Sequence, residues 1–264
     1  MAAYYKFFSI SLYENFYYRT DFIIRFLTSF LQSYTLVAVW FYIMISTKED
    51  IGTVLADNSI KYMVLVSSFT IGFRTLPDNE ITKSIQSGDI IRNLLIPVSF
   101  PITIFFKSMG NLVGLFFIQV IPIFIFLTLF YGIEWEINFM KLLVLFVGFI
   151  VSCYLFFLIN LGTDILSFWL YETSYFRYMK SAIIAFFSGS IAPLWFYPEW
   201  LLKILDLLPF RQLYYNPISY YLGEINIDNY LIHSGITIFW LLTIQIIIYV
   251  LWKKGTKKVV QFGG

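Results

Sequence analysis

Apolar residues along this chain fall into long blocks separated by short polar stretches. The blocks run from Phe22 to Ile45, Ile60 to Leu76, Phe100 to Tyr131, Phe139 to Leu161, Met179 to Phe196 and Tyr230 to Trp252. A helix needs about 20 apolar residues to cross a hydrocarbon layer of about 30 Å, and lipid tolerates few other backbones because each unpaired N–H or C=O there is costly. The pattern therefore predicts an all-α integral membrane protein with six transmembrane helices in a single transmembrane domain, 1–264. The runs do not alternate apolar and polar residues as barrel strands would. The first run is too long and lacks a small-residue cleavage site, so it reads as a retained anchor and not a signal peptide.

Three segments stand apart from simple spans. Residues 2–18 are aromatic and too short to cross; they read as an amphipathic helix lying in the inner interface, turning into the first span near Asp21 and Arg25, which stand in ion-pair register. Residues 78–97 predict a helix, Gly88, then a second helical turn, with Asp78 and Asp89 as caps and Pro97 as the stop. Residues 197–223 hold an apolar stretch of half the spanning length, broken by Pro198, Pro209 and Pro217 and rich in tyrosine. That stretch predicts an outer re-entrant hairpin between spans five and six.

Composition sharpens the picture. Hydrophobic residues make up 59% of the 264 and charged residues only 13%, too few to cover the surface of a water-soluble chain of this length. With an even number of spans, thirteen of the eighteen basic residues fall on the side of the termini, beside seven acidic ones, and five face nine acidic residues on the other side. A formal net charge of +2 thus separates into +6 and −4. The positive-inside bias makes both termini cytoplasmic, with Lys253, Lys254, Lys257 and Lys258 anchoring the last span at the inner headgroups. A basic face for nucleic acid is absent. The single cysteine, Cys153, excludes a disulfide framework or a multi-cysteine metal site.

Candidate chemistry is sparse. No Gly-Lys dipeptide occurs, so the chain carries no Walker-type nucleotide loop, and the lone His233 and the mid-span Cys153 offer no catalytic set or metal site. Polar residues inside spans are candidates for a pathway: Lys107, Asn111 and Gln119 stand at multiples of four in the third run, and Asn160 with Asp164 ends the fourth. They could instead join helices by hydrogen bonds, with Lys107 snorkelling to headgroups. Gly110 with Gly114, and Ser181, Ala185, Ser188 and Ala192 on one face of the fifth run, are candidates for close helix packing or a dimer interface.

The order of these features resembles the permease subunit of type-2 ATP-binding-cassette (ABC) transporters. The stretch from Ser87 through Gly88, Leu94, Leu95 and Pro97, followed by Lys107, is similar to that family's Gly, Leu-Leu, Pro and Lys pattern. The family's usual acidic residue is replaced, Arg92 being the nearest charge. The resemblance implies a bacterial plasma-membrane protein that pairs with a second permease subunit as a homodimer or heterodimer. It also implies docking on a cytoplasmic ATPase dimer, which carries the ATP and magnesium, through a coupling helix formed by Glu80, Ile81, Ile85, Gly88, Ile91 and Arg92. The implied function is export of an amphipathic, lipid-like, peptide or drug-like substrate. An ATPase-independent secondary carrier or channel built on Lys107, Asn111, Gln119 and Asp164 is the alternative, and a membrane-embedded enzyme ranks last for want of an acid-base pair.

Overall fold

The computed structural model describes residues 2–17, 19–47, 52–170 and 172–262. Among them the chain is all-helical, with no strand. Helix α1 is Ala2–Tyr17, α2 Arg19–Ser46 and α3 Thr53–Phe73. Two short helices follow, α4 Glu80–Gln86 and α5 Ile90–Leu95, and then the long α6, Phe100–Phe130. Helix α7 is Phe139–Ile165 and α8 Ser174–Phe187. The short α9 Glu199–Leu205 and α10 Tyr215–Leu222 precede the final α11, Ile227–Phe262. The Asp21 side chain of the expected pair with Arg25 lies outside the described residues, as do Lys48, Glu49 and Asp50.

Among the described residues four segments are both long and apolar enough to cross a membrane: Ile23–Ser46, Phe100–Phe130, Phe139–Phe168 and Ile227–Lys258. The other two expected crossings differ in instructive ways. Helix α3 begins seven residues before the apolar run and has 21 residues, about 31 Å at the helical rise, but it carries Asp57, Asn58 and Lys61. Two thirds of its residues are buried in protein, so its surroundings do not demand a lipid-grade surface. It is the axis of the bundle. Phe69 packs edge-on to Phe149 of α7 at 4.7 Å, and Phe73 sits between Phe156 at 4.7 Å and Tyr214 at 5.0 Å. Such aromatic pairs each contribute about 0.5–1.5 kcal/mol beyond area burial.

The fifth apolar run is a membrane-length helix only in sequence. Helix α8 stops at Phe187 after 14 residues, about 21 Å. Gly189 then takes φ +85°, a conformation that disfavours side chains, and its carbonyl accepts a 2.9 Å bond from the Tyr62 hydroxyl. Pro193 follows, and Ala192 lies in the turn. The expected Ser181, Ala185, Ser188, Ala192 stripe is therefore broken after its third member. The chain continues as short helical pieces, α9 and α10, with Leu205, Leu213 and Ile218 fully buried. Pro217 of α10 seats against Gly148 of α7, and the Ser152 hydroxyl donates to the Gln212 carbonyl at 2.5 Å. Helix α10 sits inside the bundle, the condition under which irregular backbone survives at membrane depth, while α9 buries only Leu201 and Leu205 and exposes Trp200 and Ile204.

Helix α1 does not segregate its apolar residues to one face, unlike the amphipathic interfacial helix expected. It lies along the first half of α6 instead. Tyr4 stacks on Phe106 at 5.4 Å, the Tyr4 hydroxyl accepts the Ser99 N–H at 3.0 Å, and Lys107 sits over the Phe7 ring at 5.6 Å. Gly110 makes the approach possible, because any Cβ there would overlap the Phe8 carbonyl.

Candidate functional site

Two polar centres emerge from this packing. The first is closed. Helix α4 has Asn79 at its N-cap position, but that side chain makes no capping bond. The cap comes from α7: the Asp164 carboxylate accepts the N–H of Ile81 at 2.7 Å and of Thr82 at 3.0 Å, and the Thr82 hydroxyl at 2.5 Å. Those are the second and third amides of the helix, the two that an N-cap side chain ordinarily satisfies. The anion also sits at the positive end of the helix. Asp78, expected in the capping role, pairs instead with Lys180 of α8, whose ammonium also donates to Asn160 at 2.7 Å.

One donor chain extends the cluster. Arg177 donates to the Thr173 hydroxyl at 2.8 Å, and Thr173 and Thr82 are 3.1 Å apart. Because Thr82 spends its proton on Asp164, Thr173 supplies the bond between the two threonines. Two acids, Asp78 and Asp164, thus meet two bases, Lys180 and Arg177, across three elements. Asp164 and Lys180 are 4% and 7% exposed. Such burial is tolerated because Lys180 is paired with Asp78 and Asp164 accepts three hydrogen bonds at the N-terminus of α4.

Several of the expected residues meet here. Asn160 and Asp164, named as pathway residues or as helix-joining hydrogen-bond partners, bond to Lys180 of α8 and to the N-terminus of α4. Ile81, expected on the coupling surface, is fully buried and half-buried Ile85 packs against the core, while Glu80, Gly88, Ile91 and Arg92 are exposed together with Lys83 and Leu95. Gly88 joins α4 to α5 with φ +79°, Asn93 of α5 donates to the Ser84 hydroxyl at 2.8 Å, and Asp89 pairs with Arg92 at 3.3 Å.

The second centre is open. A cavity of about 300 Å³ lies between α2, α3, the break after α8 and Tyr214. Ser67, Thr70, Ile71 and Arg74 face it from α3, and Gln32, Ser33 and Leu36 from α2. Both sets recur at helical spacing, so each forms one stripe. Ala185, Ser190 and Ile191 close the third side. Arg74 donates to Ser29 at 3.2 Å, and Ser29 donates to Gln119 of α6 at 3.3 Å. Gln119 lies in a π-helical turn, Phe116–Val120, just before Pro122. A proline ring clashes with the carbonyl four residues back and supplies no N–H; the wider turn accommodates both.

Gln119 is linked to the cavity through Ser29, which also accepts from the lining residue Arg74. Lys107 is exposed beside α1 and Asn111 is half-buried further along the same helix. Gly110 packs on α1, and Gly114 is buried in α6. Ala185 lines the cavity, Ser188 is buried and Ser181 is exposed. Sequence reading missed Gln32, Ser33, Ser67, Thr70, Arg74 and Tyr214 as a set. The one signal was spacing: Ser29, Gln32, Ser33 and Leu36 repeat the same helical interval as Ser67, Thr70, Ile71 and Arg74.

The structure is thus a bundle of long apolar helices with a short helix pinned to two of its members and a polar cleft among them. The family described as ABC-2 family transporter protein matches residues 22–263, and the chain belongs to it. It is a permease of an ABC transporter, a transmembrane component that is not itself catalytic. Neither a curated protein nor a solved structure matches the chain.

Proposed function

We propose that this chain is the membrane subunit of an ATP-driven exporter, with six crossings and both termini in the cytoplasm, paired with a second permease subunit in a cell membrane. ATP and magnesium belong to a separate ATPase dimer, and the cargo is an amphipathic, lipid-like, peptide or drug-like molecule. The observation that carries this reading is the Asp164 cap. A carboxylate from the end of one long helix holds the N-terminus of the short helix α4, and Lys180 with Thr173 ties the same point to α8. A push on α4 is therefore delivered to two helices that reach into the bilayer, and α8 ends beside the polar cavity. The surface available to the ATPase is the outward one, Glu80, Lys83, Gly88, Ile91, Arg92 and Leu95, in which apolar groups enter a groove and charges set orientation.

The test is co-purification with the ATPase encoded beside this chain, using Ile91→Asp with Leu95→Asp. Loss of assembly and of ATP turnover, with the permease's own melting temperature unchanged, supports the docking surface. Undiminished assembly and turnover would sink it. Transport that persists in vesicles with no ATPase would replace this reading with a secondary carrier.

A further inference from the structure

The open cavity carries a charge that the protein leaves unanswered. Among the described residues, Arg74 is the one charged residue in its lining, no carboxylate lines it, and the hydrogen bond that Arg74 makes goes to the neutral Ser29 hydroxyl, its side chain being otherwise exposed. A guanidinium has five N–H donors, so most of its capacity is unspent. The contrast is with Lys180, which pairs with Asp78 within the protein.

Most of the hydroxyls around the cavity do not compete for that role. Ser67 donates to the Val64 carbonyl at 2.8 Å, Thr70 to Val66 at 2.8 Å and Ser190 to Ala185 at 3.1 Å. Their protons are taken, and Tyr214, 3.2 Å from Thr70, donates to that oxygen. Donors for a ligand come from Arg74, the Gln32 amide and the Ser33 hydroxyl. Leu36, Ile71, Ala185 and Ile191 supply an apolar wall. A volume of about 300 Å³ is at the low end for a small-molecule site, enough for a headgroup and the first part of a chain.

We infer that this cavity is a headgroup subsite for an acidic amphiphile, with Arg74 holding a phosphate or carboxylate while the tail leaves along Leu36, Ile71 and Ile191. The inference rests on the transporter reading and names its cargo class. A cationic amphiphile is disfavoured there, since Arg74 repels it and nothing in the lining attracts it. Planar, forked recognition suits an anion with two oxygens, and lysine reproduces only its charge.

The experiment uses the full chain in zwitterionic nanodiscs without any ATPase, so that failure of the subsite and failure of the exporter reading are separate results. A dodecyl phosphate bearing a diazirine on the chain is photolysed, and labelled peptides are mapped by mass spectrometry. The wild-type protein is expected to be labelled in peptides holding Ser67 to Arg74 and Ser190 to Ile191. Arg74→Ala should reduce that labelling at least tenfold and Arg74→Lys by less, both with wild-type melting temperatures. Ile191→Trp, which fills the cavity and keeps Arg74, should also abolish it and serves if Arg74→Ala does not fold. The matching dodecyltrimethylammonium probe should label the same peptides at least tenfold more weakly. Equal labelling of Arg74→Ala, or equal labelling by the ammonium probe, overturns the proposal. Complete competition by millimolar inorganic phosphate would show a free-anion site and overturn the amphiphile assignment.

Discussion

The two polar centres use the same chemical vocabulary and differ in closure. At α4, Lys180 pairs with Asp78, Asp164 caps two backbone amides, and Arg177 donates to Thr173. Between α2 and α3, Arg74 has one neutral partner and faces a cavity. Charges that answer each other hold elements together. Arg74, exposed at the end of α3, keeps its charge open to whatever enters the cavity.

Removing Lys180 gives the sharpest contrast. Lys180→Met leaves the partly exposed Asp78 and the buried Asn160 without their donor and should destabilise the fold by about 1–3 kcal/mol, the cost of losing hydrogen bonds to a charged group. Denaturant unfolding in detergent measures it; a loss below about 1 kcal/mol would make the two centres alike. Next comes the cap. Asp164→Ala should cost about 1–2 kcal/mol and act locally, speeding amide exchange at Ile81 and Thr82 while the centre of α7 stays protected. Asp164→Asn keeps an acceptor and should lie between the two.

Packing away from both centres offers a reference. Gly110→Leu drives a side chain into the Phe8 carbonyl and should destabilise by about 1–3 kcal/mol, releasing α1 to protease while leaving α4 exchange unchanged. The smallest effect on stability belongs to Arg74→Ala, within about 0.5 kcal/mol, because it makes one bond to a neutral hydroxyl. Its effect on transport should be the largest of the four. An Arg74 variant that melts early yet transports normally would reverse the comparison.

The sequence made the long helices legible because lipid imposes length and apolarity on whatever faces it. The π-helical turn and the gap at α3 show the limit of that signal. Helix α3 reads as the weakest span because it is the most protected one, and a helix wrapped in protein can carry Asp57 and Lys61 at one end. The break at Gly189 was hidden inside an apolar run. Hydropathy averages over residues and is blind to a single left-handed glycine. The helix, Gly88, helix order of the loop was readable from local spacing, but the choice of Asp164 over Asp78 as its cap was not, since 82 residues separate Asp164 from Thr82.

By itself, then, the sequence determined the solvent, the all-helical class and the helix-Gly-helix loop. These follow from composition, short periods and positions near in the chain. Only the tertiary structure decided that Asp164 and Asn160 join the polar cluster at α4, that Ile81 faces inward, and that Arg74 stands by an open cavity. Those outcomes depend on which helices meet, and serine, threonine and a single arginine on separate helices acquire a common role only when packing brings them to one place.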